Sequence, residues 1–251
     1  MPTRDVLGAR LAFLLDWLYP PRCRHCRERI ARDESYFCHL CLYKIRLVSH
    51  PLCTTCGRPF LGTSGADHLC GACLGRAPRF HQARAWACYP SEEGEGQPLR
   101  EVVQRFKYGR KISLGKPLGR LMARGCEEFL SAHPADMVIP VPLHPKRLRW
   151  RGFNQAAILG REVGRSWKVP MEPLILLRSR ETPPQTQLAE EERRKNMRGA
   201  FSVNPAKSVA GKTVWLVDDV YTSGATVNEC SRALLKAGAK EVYVLTLARA
   251  V

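Results

Sequence analysis

The chain has 251 residues, of which 45% are hydrophobic, and its 40 basic against 23 acidic side chains give a net charge of +17. This length and apolar content can bury the core of one or two soluble globular domains. The positive charge favours polyanions and phosphorylated small molecules as partners, although a protein that is simply basic has the same composition.

Residues 1–22 are predicted to form an amphipathic helix. Apolar residues recur at helical spacing from Val6 to Leu18, but Arg10 and Asp16 interrupt any apolar core of this segment. It fits neither a signal peptide nor a membrane span, which needs about 20 apolar residues. We expect the helix to dock on the domain that follows; a helix lying on a membrane surface would have the same pattern.

Eight of the eleven cysteines form four C-x2-C pairs. Two residues between cysteines let one tight turn aim both thiolates at one ion, and two such turns complete a tetrahedral zinc site. Four thiolates leave no open position for catalysis, so we expect two structural Zn²⁺ ions. Without an export signal we expect a cytoplasmic protein, in which these thiols stay reduced. The predicted ligands are Cys23, Cys26, Cys38, Cys41, Cys53, Cys56, Cys70 and Cys73.

The spacing leaves the pairing of these motifs open, because sequential and interleaved ligation both fit. We place the double zinc-ribbon domain at residues 23–78 and a second domain at residues 79–251, with a linker near residues 75–82. The remaining cysteines, Cys88, Cys126 and Cys230, stand singly in apolar or helical contexts, which predicts buried packing.

The second domain begins with a predicted strand at residues 83–89, followed by two helices broken around residues 108–113. Basic side chains crowd the first helix and the break, and two aromatic rings are interleaved with them. Such a stretch could follow a phosphate backbone while its rings stack on bases, but a solvated helix face is equally compatible. The candidate nucleic-acid residues are Arg105, Phe106, Lys107, Tyr108, Arg110 and Lys111.

From Asp136 onward, short apolar runs alternate with helical patterns. This alternation predicts an α/β fold with an open, mainly parallel sheet flanked by helices. Ligands of such sheets bind at the carboxyl ends of the strands. The predicted strand Val214–Val217 is followed at once by Asp218 and Asp219, then by a hydroxyl-rich turn and a helix from about Val227.

The backbone N–H groups of that turn and the start of the helix would converge on an anion pocket. Gly224 allows close approach of a phosphate, and the hydroxyls of Thr222, Ser223 and Thr226 add donors. Carboxylates beside such a pocket would repel the phosphate itself, so they must address sugar hydroxyls or a bridging Mg²⁺. A phosphorylated sugar meets both demands.

The run VDDVYTSGAT resembles the phosphoribosyl pyrophosphate (PRPP) motif of type I phosphoribosyltransferases. The resemblance implies that Asp218 and Asp219 bind the ribose hydroxyls of PRPP, which carries Mg²⁺. It also implies that the turn surrounds the 5-phosphate through Thr222, Ser223, Gly224, Ala225 and Thr226. Ser223 stands where threonine is more frequent in that family, a departure that keeps the hydroxyl.

The stretches VIPVPLHPKRLRWRGFNQA and RSRETPPQTQLAEEERRKNMRGAF, together with the paired cysteine motifs, resemble the ComF family. Members of that family pair a zinc-ribbon region with a type I phosphoribosyltransferase domain and include a factor for DNA uptake in natural competence. The resemblance implies a basic loop facing pyrophosphate, with Lys146, Arg147, Arg149 and Arg151, and a flexible loop over the ligand, with Arg193, Arg194 and Lys195.

The resemblance therefore implies a PRPP-binding protein that handles single-stranded DNA, with the competence machinery as a partner. An active phosphoribosyltransferase of nucleobase salvage is the alternative. Whether the chain is an enzyme stays open, because the sequence places no glutamate or lysine beside the C1 carbon of PRPP as a general base.

Overall fold

The computed structural model describes residues 20–30, 36–62, 64–90, 97–180 and 197–251. The predicted N-terminal helix lies almost entirely outside these ranges, as do three basic residues of the predicted flexible loop, Arg193, Arg194 and Lys195. Among the described residues, no helix is both long enough and apolar enough to cross a membrane.

Two short helices belong to the cysteine-rich part, and the remaining elements follow from residue 82 onward. In chain order the elements are α1 His39–Tyr43, α2 Gly71–Gly75, β1 Gln82–Tyr89, α3 Gln97–Lys107, a 3-10 turn Ile112–Leu114, α4 Gly115–Gly125, α5 Glu127–Ala132, β2 Met137–Pro140, α6 Pro145–Arg151, α7 Gln155–Trp167, β3 Leu176–Arg178, β4 Phe201–Val203, β5 Thr213–Tyr221, α8 Ala225–Lys236 and β6 Glu241–Ala250.

The main sheet has four strands in the order β1-β6-β5-β2, and all three pairings are parallel. This confirms the predicted parallel sheet. In the register, Asp218 lies opposite Thr246 and Pro140 lies opposite Val217, so β2 and β5 end at the same edge. The carboxyl ends of the strands therefore face one side of the molecule.

Alternating side chains of the sheet supply two hydrophobic cores, one on each face. Along β5, Trp215 and Val217 pack into the core that contains residues of α3, α4 and α7. Val214 and Leu216 pack into the opposite core, which contains residues of α8. A parallel sheet covered on both faces explains why β5 reads as a nearly continuous apolar run up to its acidic end.

The predicted strands around residues 169–180 and 199–204 form a separate unit. Only Leu176–Arg178 and Phe201–Val203 are strands, and they pair with each other in an antiparallel ribbon rather than with the main sheet. Leu177 and Ser202 point to solvent while Leu176 and Phe201 are buried. This half-buried alternation is typical of an antiparallel pair with one covered face.

The cysteine-rich part lies against the free edge of β1. We call the described residues of 23–41 ribbon 1 and those of 53–73 ribbon 2. The connecting segment pairs with the edge strand, since Val48 N–H donates to the Trp86 carbonyl and Cys88 N–H donates to the Arg46 carbonyl. Covering an edge in this way removes a row of unpaired backbone groups that would otherwise invite aggregation.

A candidate phosphoribosyl-ligand cleft at the carboxyl ends of the strands

A cleft of about 1170 Å³ opens where β2 and β5 end. Its walls come from β5 and the start of α8 on one side, from α6 on another, and from the end of α3 on a third. The position is the one that open parallel sheets use for ligands.

The floor of the cleft holds the two carboxylates. Asp219 is only 6% exposed at its side chain, and its Oδ1 atom lies 2.8 Å from Lys107 Nζ. The Asp219 Oδ2 atom is buried and has no hydrogen-bond partner within the described part of the chain. Such an oxygen needs a hydroxyl donor or a cation, so the residues present fit a ribose hydroxyl or Mg²⁺.

Burial and the neighbouring Asp219 carboxylate raise the pKa of Asp218 to about 7. Burial alone would lower the pKa of Lys107, but the Asp219 carboxylate outweighs it and the pKa of Lys107 is raised. The lysine is therefore a fixed positive charge beside two acids, one of which gains a proton near neutral pH. Positive charge entering the cleft would favour the ionised form of Asp218.

The predicted anion turn begins at the end of β5 and leads directly into α8. Gly224 adopts φ = +74° immediately before Ala225, the first residue of that twelve-residue helix. A Cβ atom at Gly224 would lie 2.2 Å from the Tyr221 hydroxyl, so only glycine fits there. Thr222 and Thr226 line the cleft, whereas the Ser223 hydroxyl accepts a 3.5 Å hydrogen bond from Ala225 N–H. The geometry suits a phosphate at the start of a helix.

The basic wall is helix α6. The resemblance implied a loop at these residues, and the structure corrects this to a helix: Pro145 occupies its first turn, and His144 Nδ1 accepts from Lys146 N–H at 3.4 Å. Helical periodicity turns Lys146, Arg147 and Arg151 toward the cleft, and Arg149 is not among the lining residues. The structure thus brings three of the four predicted pyrophosphate-side residues to the cleft.

Arg151 is the most buried member of this wall, at 5% exposure. Its Nη1 donates to Gln155 Oε1 at 2.6 Å, and burial lowers the pKa of its guanidinium. Arg178 of β3 also lines the cleft, and burial followed by the charge of Arg147 lowers its pKa. Buried guanidinium groups stay charged, since their ordinary pKa is so high, and they form a strong anion-binding wall.

The structure places the six candidate nucleic-acid residues in four different surroundings. Phe106 is fully buried in the core and packs against Phe153 at 5.3 Å, so the prediction that its ring stacks on bases is wrong. Lys107 faces the cleft floor instead of solvent, where it pairs with Asp219. Arg105 donates to the backbone carbonyls of Arg24 and His25 in ribbon 1.

The other three candidates, Tyr108, Arg110 and Lys111, are exposed beyond the end of α3. Strict helical periodicity could have separated Phe106 from the exposed candidates in the sequence, because Phe106 continues the apolar stripe of Leu99, Val102 and Val103.

The eight cysteines form two clusters, Cys23, Cys26, Cys38 and Cys41 in one and Cys53, Cys56, Cys70 and Cys73 in the other. Within each cluster the sulfur atoms lie within 4.8 Å of one another. The pairing is therefore sequential, and both donor sets are consistent with a structural zinc ion. The three other cysteines are buried, which confirms their predicted packing role.

Sequence reasoning missed several residues at or near the cleft, among them Arg178, Trp150 and Arg249. Arg249 had a signal, because it is a charged residue near the end of the mostly apolar strand β6. Arg178 ends a predicted strand and begins the stretch that the resemblance assigns to the flexible loop, and Trp150 stands in a charge run; neither was named as a site residue, and both line the cleft.

Two domain models match this sequence, a double zinc ribbon domain over residues 14–74 and a phosphoribosyl transferase domain over residues 151–250. Competence protein F of Haemophilus influenzae is 34% identical over 233 residues, which cover 91% of this chain and 97% of that protein. DNA utilization protein YhgH of Escherichia coli K12 is 30% identical over 237 residues, covering 92% and 97%. Competence protein ComFC of Bacillus subtilis is 24% identical over 223 residues, covering 88% and 87%.

The order of the two matched domains agrees with the two cysteine clusters and the parallel sheet with its cleft. Because 34% identity extends over nearly the whole of competence protein F, the chain belongs to the ComF family, whose members join a double zinc ribbon to a phosphoribosyl transferase domain.

Proposed function

We propose that this chain binds PRPP with Mg²⁺ in the cleft and handles single-stranded DNA during DNA uptake in natural transformation. The observation that carries the proposal is the convergence of three elements on one cavity: the carboxylates Asp218 and Asp219, the turn before α8, and the basic wall of α6. A phosphorylated sugar with a diphosphate has one chemical group for each of them.

In this proposal Asp218 and the unpartnered oxygen of Asp219 accept hydrogen bonds from the ribose hydroxyls. The 5-phosphate accepts from the backbone of the turn and from the hydroxyls of Thr222 and Thr226. Lys146 and Arg147 neutralise the diphosphate, and the more buried Arg151 adds a third positive charge to the same wall. Mg²⁺ would be held between the diphosphate and the carboxylates and would reduce their mutual repulsion.

The role in DNA handling is supported by the net charge of +17 and by the printed names of the relatives, "Competence protein F" and "DNA utilization protein". The exposed basic residues beyond α3, Arg110 and Lys111, are the proposed phosphate contacts, with Tyr108 beside them as a ring for stacking. Neutralising phosphates releases counterions, so DNA affinity should fall steeply with salt.

Phosphoribosyl transfer is a second proposed function, which the size of the cleft supports. At about 1170 Å³ it exceeds the usual range of small-ligand pockets, which leaves room for an acceptor beside PRPP. In that reaction the acceptor nitrogen forms a bond to C1 of the ribose while the bond from C1 to the pyrophosphate oxygen breaks. Release of pyrophosphate in the presence of candidate bases is the measurement that detects it.

The test of the PRPP site is isothermal titration of the zinc-loaded protein with PRPP and Mg²⁺, beside the double variant Asp218→Asn/Asp219→Asn. We expect the variant to lose at least about tenfold in affinity, since each lost charge-assisted hydrogen bond is worth about 1.5 kcal/mol or more. Equal binding by both proteins would place the ligand elsewhere. Failure of the folded wild-type protein to bind PRPP would contradict the proposed ligand itself.

A further inference from the structure

Two large aromatic side chains stand exposed at the rim of the cleft. Tyr108, just beyond α3, is 56% exposed, and Trp150 of α6 is 52% exposed. Both line the cleft, and their ring centroids lie 6.5 Å apart with an angle of 58° between the planes. Rings of this size usually contribute to a core or to an interface, so a neighbouring exposed pair at a cleft indicates a binding surface.

Arginine side chains flank both rings. The guanidinium carbon of Arg110 lies 5.5 Å from the centroid of the Trp150 ring, and that of Arg151 lies 5.5 Å from the centroid of the Tyr108 ring. These cation–π contacts help to hold the rings in place. The tilt between the rings excludes a base sandwiched between them, so a flat ligand would stack on one ring at a time.

We propose that Tyr108 and Trp150 form a stacking site for the unpaired bases of single-stranded DNA. The site deepens the proposed DNA-handling function and rests on it. Exposed Arg110, which contacts Trp150, its neighbour Lys111 and the half-buried Arg147 of the same cleft add positive charge, which complements the phosphates between successive bases. In duplex DNA the base faces are covered by their neighbours, so this site selects single strands.

The experiment compares two oligonucleotides of about 15 nucleotides at low salt, one of thymidylate and one with abasic sugars throughout. The abasic strand keeps every phosphate but offers no base to stack. We expect the wild-type protein to bind the thymidylate strand about tenfold more tightly. The variant Tyr108→Ala/Trp150→Ala should lose this preference and still bind both strands. Leu148→Ala is the matched control, because Leu148 is 41% exposed on the same helix but does not line the cleft.

Equal wild-type affinity for both strands would overturn the stacking site and leave DNA handling intact. Binding of neither strand by the folded protein would overturn the DNA-handling function itself. Trp150→Phe gives a test that does not depend on the double variant: it keeps a stacking ring but removes the exposed indole. It should bind the thymidylate strand normally and lose the fluorescence quenching that the strand causes in the wild type. Persistent quenching would overturn the assignment of Trp150.

A different set of contacts links ribbon 2 to the anion turn. Arg249 near the end of β6 is 6% exposed, and its Nη1 donates to the Cys56 carbonyl at 2.8 Å. Its Nη2 lies 3.3 Å from the Cys56 sulfur. The guanidinium carbon also lies 4.2 Å from the centroid of the Tyr221 ring. One buried arginine thus contacts a zinc ligand and the last residue of β5.

Tyr221 in turn shapes the turn that precedes α8. Its hydroxyl fills the space that a side chain at Gly224 would need, and Phe80 packs edge-on against its ring at 6.2 Å. The contacts therefore form a continuous chain from Cys56 through Arg249 and Tyr221 to Gly224. All of its side chains are buried, so its members have little freedom to move independently.

We infer that Arg249 is a positioning residue that couples zinc binding in ribbon 2 to the geometry of the anion turn. A zinc-bound Cys56 thiolate is a charged acceptor fixed in place, which holds the guanidinium against Tyr221. This inference rests on the proposed PRPP site. Coupling between two binding sites is reciprocal, so PRPP must also strengthen the retention of zinc in ribbon 2.

The test uses the wild-type protein and follows the transfer of zinc to a coloured chelator with and without PRPP and Mg²⁺. We expect PRPP to slow the release of one zinc ion about tenfold and to leave the other unchanged. Arg249→Met should abolish this protection while keeping both zinc ions. Arg120→Met is the matched control, because Arg120 Nη1 donates to the Tyr36 hydroxyl at 3.1 Å and so contacts ribbon 1 instead.

If PRPP binds the wild-type protein in the titration but protects neither zinc ion, the coupling is overturned and the PRPP site stands. If PRPP does not bind at all, the proposed function fails together with the coupling. Equal protection in Arg249→Met and wild type would show that zinc and PRPP are coupled by another route.

Discussion

The two zinc ribbons repeat one cysteine motif, but the fold surrounds them differently. Ribbon 1 packs into the core on the face of α3 and α4, whereas ribbon 2 packs into the core on the face of α8. Cys26 of ribbon 1 is exposed, and all four ligands of ribbon 2 are buried. The repeated motif therefore supplies two similar four-cysteine sets, each consistent with a structural zinc ion, but the two sets pack against different parts of the second domain.

The contacts of the ribbons with the second domain differ in the same way. Ribbon 1 is held by Arg105 and Glu101 of α3, whose side chains are 40% and 39% exposed. Ribbon 2 is held by the buried Arg249, and Gly57 sits so close to β1 that a Cβ there would lie 2.4 Å from the Ala83 carbonyl. We expect ribbon 2 to be the more tightly joined of the two.

Loss of one zinc ligand from each ribbon tests this difference most strongly. We expect Cys56→Ser to lower the free energy of unfolding by about 4 kcal/mol or more, because it removes a metal ligand and disturbs the buried Arg249 contact. Cys26→Ser should cost about 2 kcal/mol less, since water can reach the exposed position. Urea unfolding with zinc analysis by mass spectrometry measures both. An equal loss of stability in Cys56→Ser and Cys26→Ser would contradict the expectation that ribbon 2 is joined more tightly than ribbon 1.

The next test concerns α3, the helix that contacts ribbon 1 and also reaches the cleft. Lys107→Met leaves the buried Asp219 carboxylate without its 2.8 Å partner, which should cost about 3 kcal/mol in unfolding free energy. The double variant Lys107→Met/Asp219→Asn should recover most of that loss, because the Asp219 charge that the lysine neutralises is then removed as well. A double variant as unstable as Lys107→Met would mean that the lysine acts through packing alone.

Gly224→Ala tests the ribbon 2 side of the cleft. The substitution forces a side chain into a left-handed backbone and against the Tyr221 hydroxyl, so we expect a loss of about 2 kcal/mol in stability and weaker PRPP binding. Gly152→Ala is the control: its φ is +84° but nothing lies within 4 Å of the new Cβ, so only the backbone strain of about 1 kcal/mol remains. An equal loss of stability in Gly224→Ala and Gly152→Ala would show that the Tyr221 side chain moves aside at little cost.

The sequence was sufficient to predict features that depend on local order along the chain. Three such features are the paired cysteines, the apolar strand that ends in two acids, and the glycine before α8. Each involves only a few consecutive residues, so the order of residues along the chain is enough to predict it. The alternation of strands and helices likewise predicted the parallel sheet, which the register confirms.

Features that depend on distant residues could not be predicted. Lys107 was grouped with surface charges, because nothing nearby in the sequence shows that it faces Asp219. Arg249 contacts Cys56 across most of the chain, and only the position of ribbon 2 against β1 makes that contact possible. Arg149 shows that even residues of one helix could not all be assigned, because the side chains of Lys146, Arg147 and Arg151 line the cleft and that of Arg149 does not.

The pH dependence of PRPP binding tests the cleft alone, because it follows the titration of Asp218 and not a residue of either ribbon. Burial and the Asp219 charge raise the pKa of Asp218 to about 7, and its ionised form is the one that accepts hydroxyls or Mg²⁺. PRPP affinity should therefore fall about tenfold as the pH drops from about 8 to 6. Titrations of Asp218→Asn control for the titration of PRPP itself and should show a smaller change. An unchanged pH dependence in that variant would exclude Asp218 as the titrating group.

The Asp218 carboxyl has the opposite effect on the stability of the ligand-free protein: a rise in pH should strengthen PRPP binding but lower the free energy of unfolding. A raised carboxyl pKa means that the folded state binds the proton more tightly than the unfolded state between about pH 4 and pH 7. The contribution of Asp218 to stability is therefore largest below that window and is lost as the pH rises through about 7. Thermal unfolding of the wild type and of Asp218→Asn between about pH 4 and pH 7 measures this contribution. If both proteins lost stability equally as the pH rises, Asp218 would not be its source.

The smallest expected effect belongs to the surface contact of ribbon 1. Glu101 Oε2 lies 2.8 Å from Arg105 Nη2, and Glu101 Oε1 lies 3.4 Å from His25 Nε2 in ribbon 1. Because these groups are partly exposed, Glu101→Gln should cost at most about 1 kcal/mol, and about 1 M salt should remove the difference from wild type. Thermal unfolding at two salt concentrations measures it. A salt-independent loss of about 2 kcal/mol would show that ribbon 1 is joined to α3 as firmly as ribbon 2 is to β6.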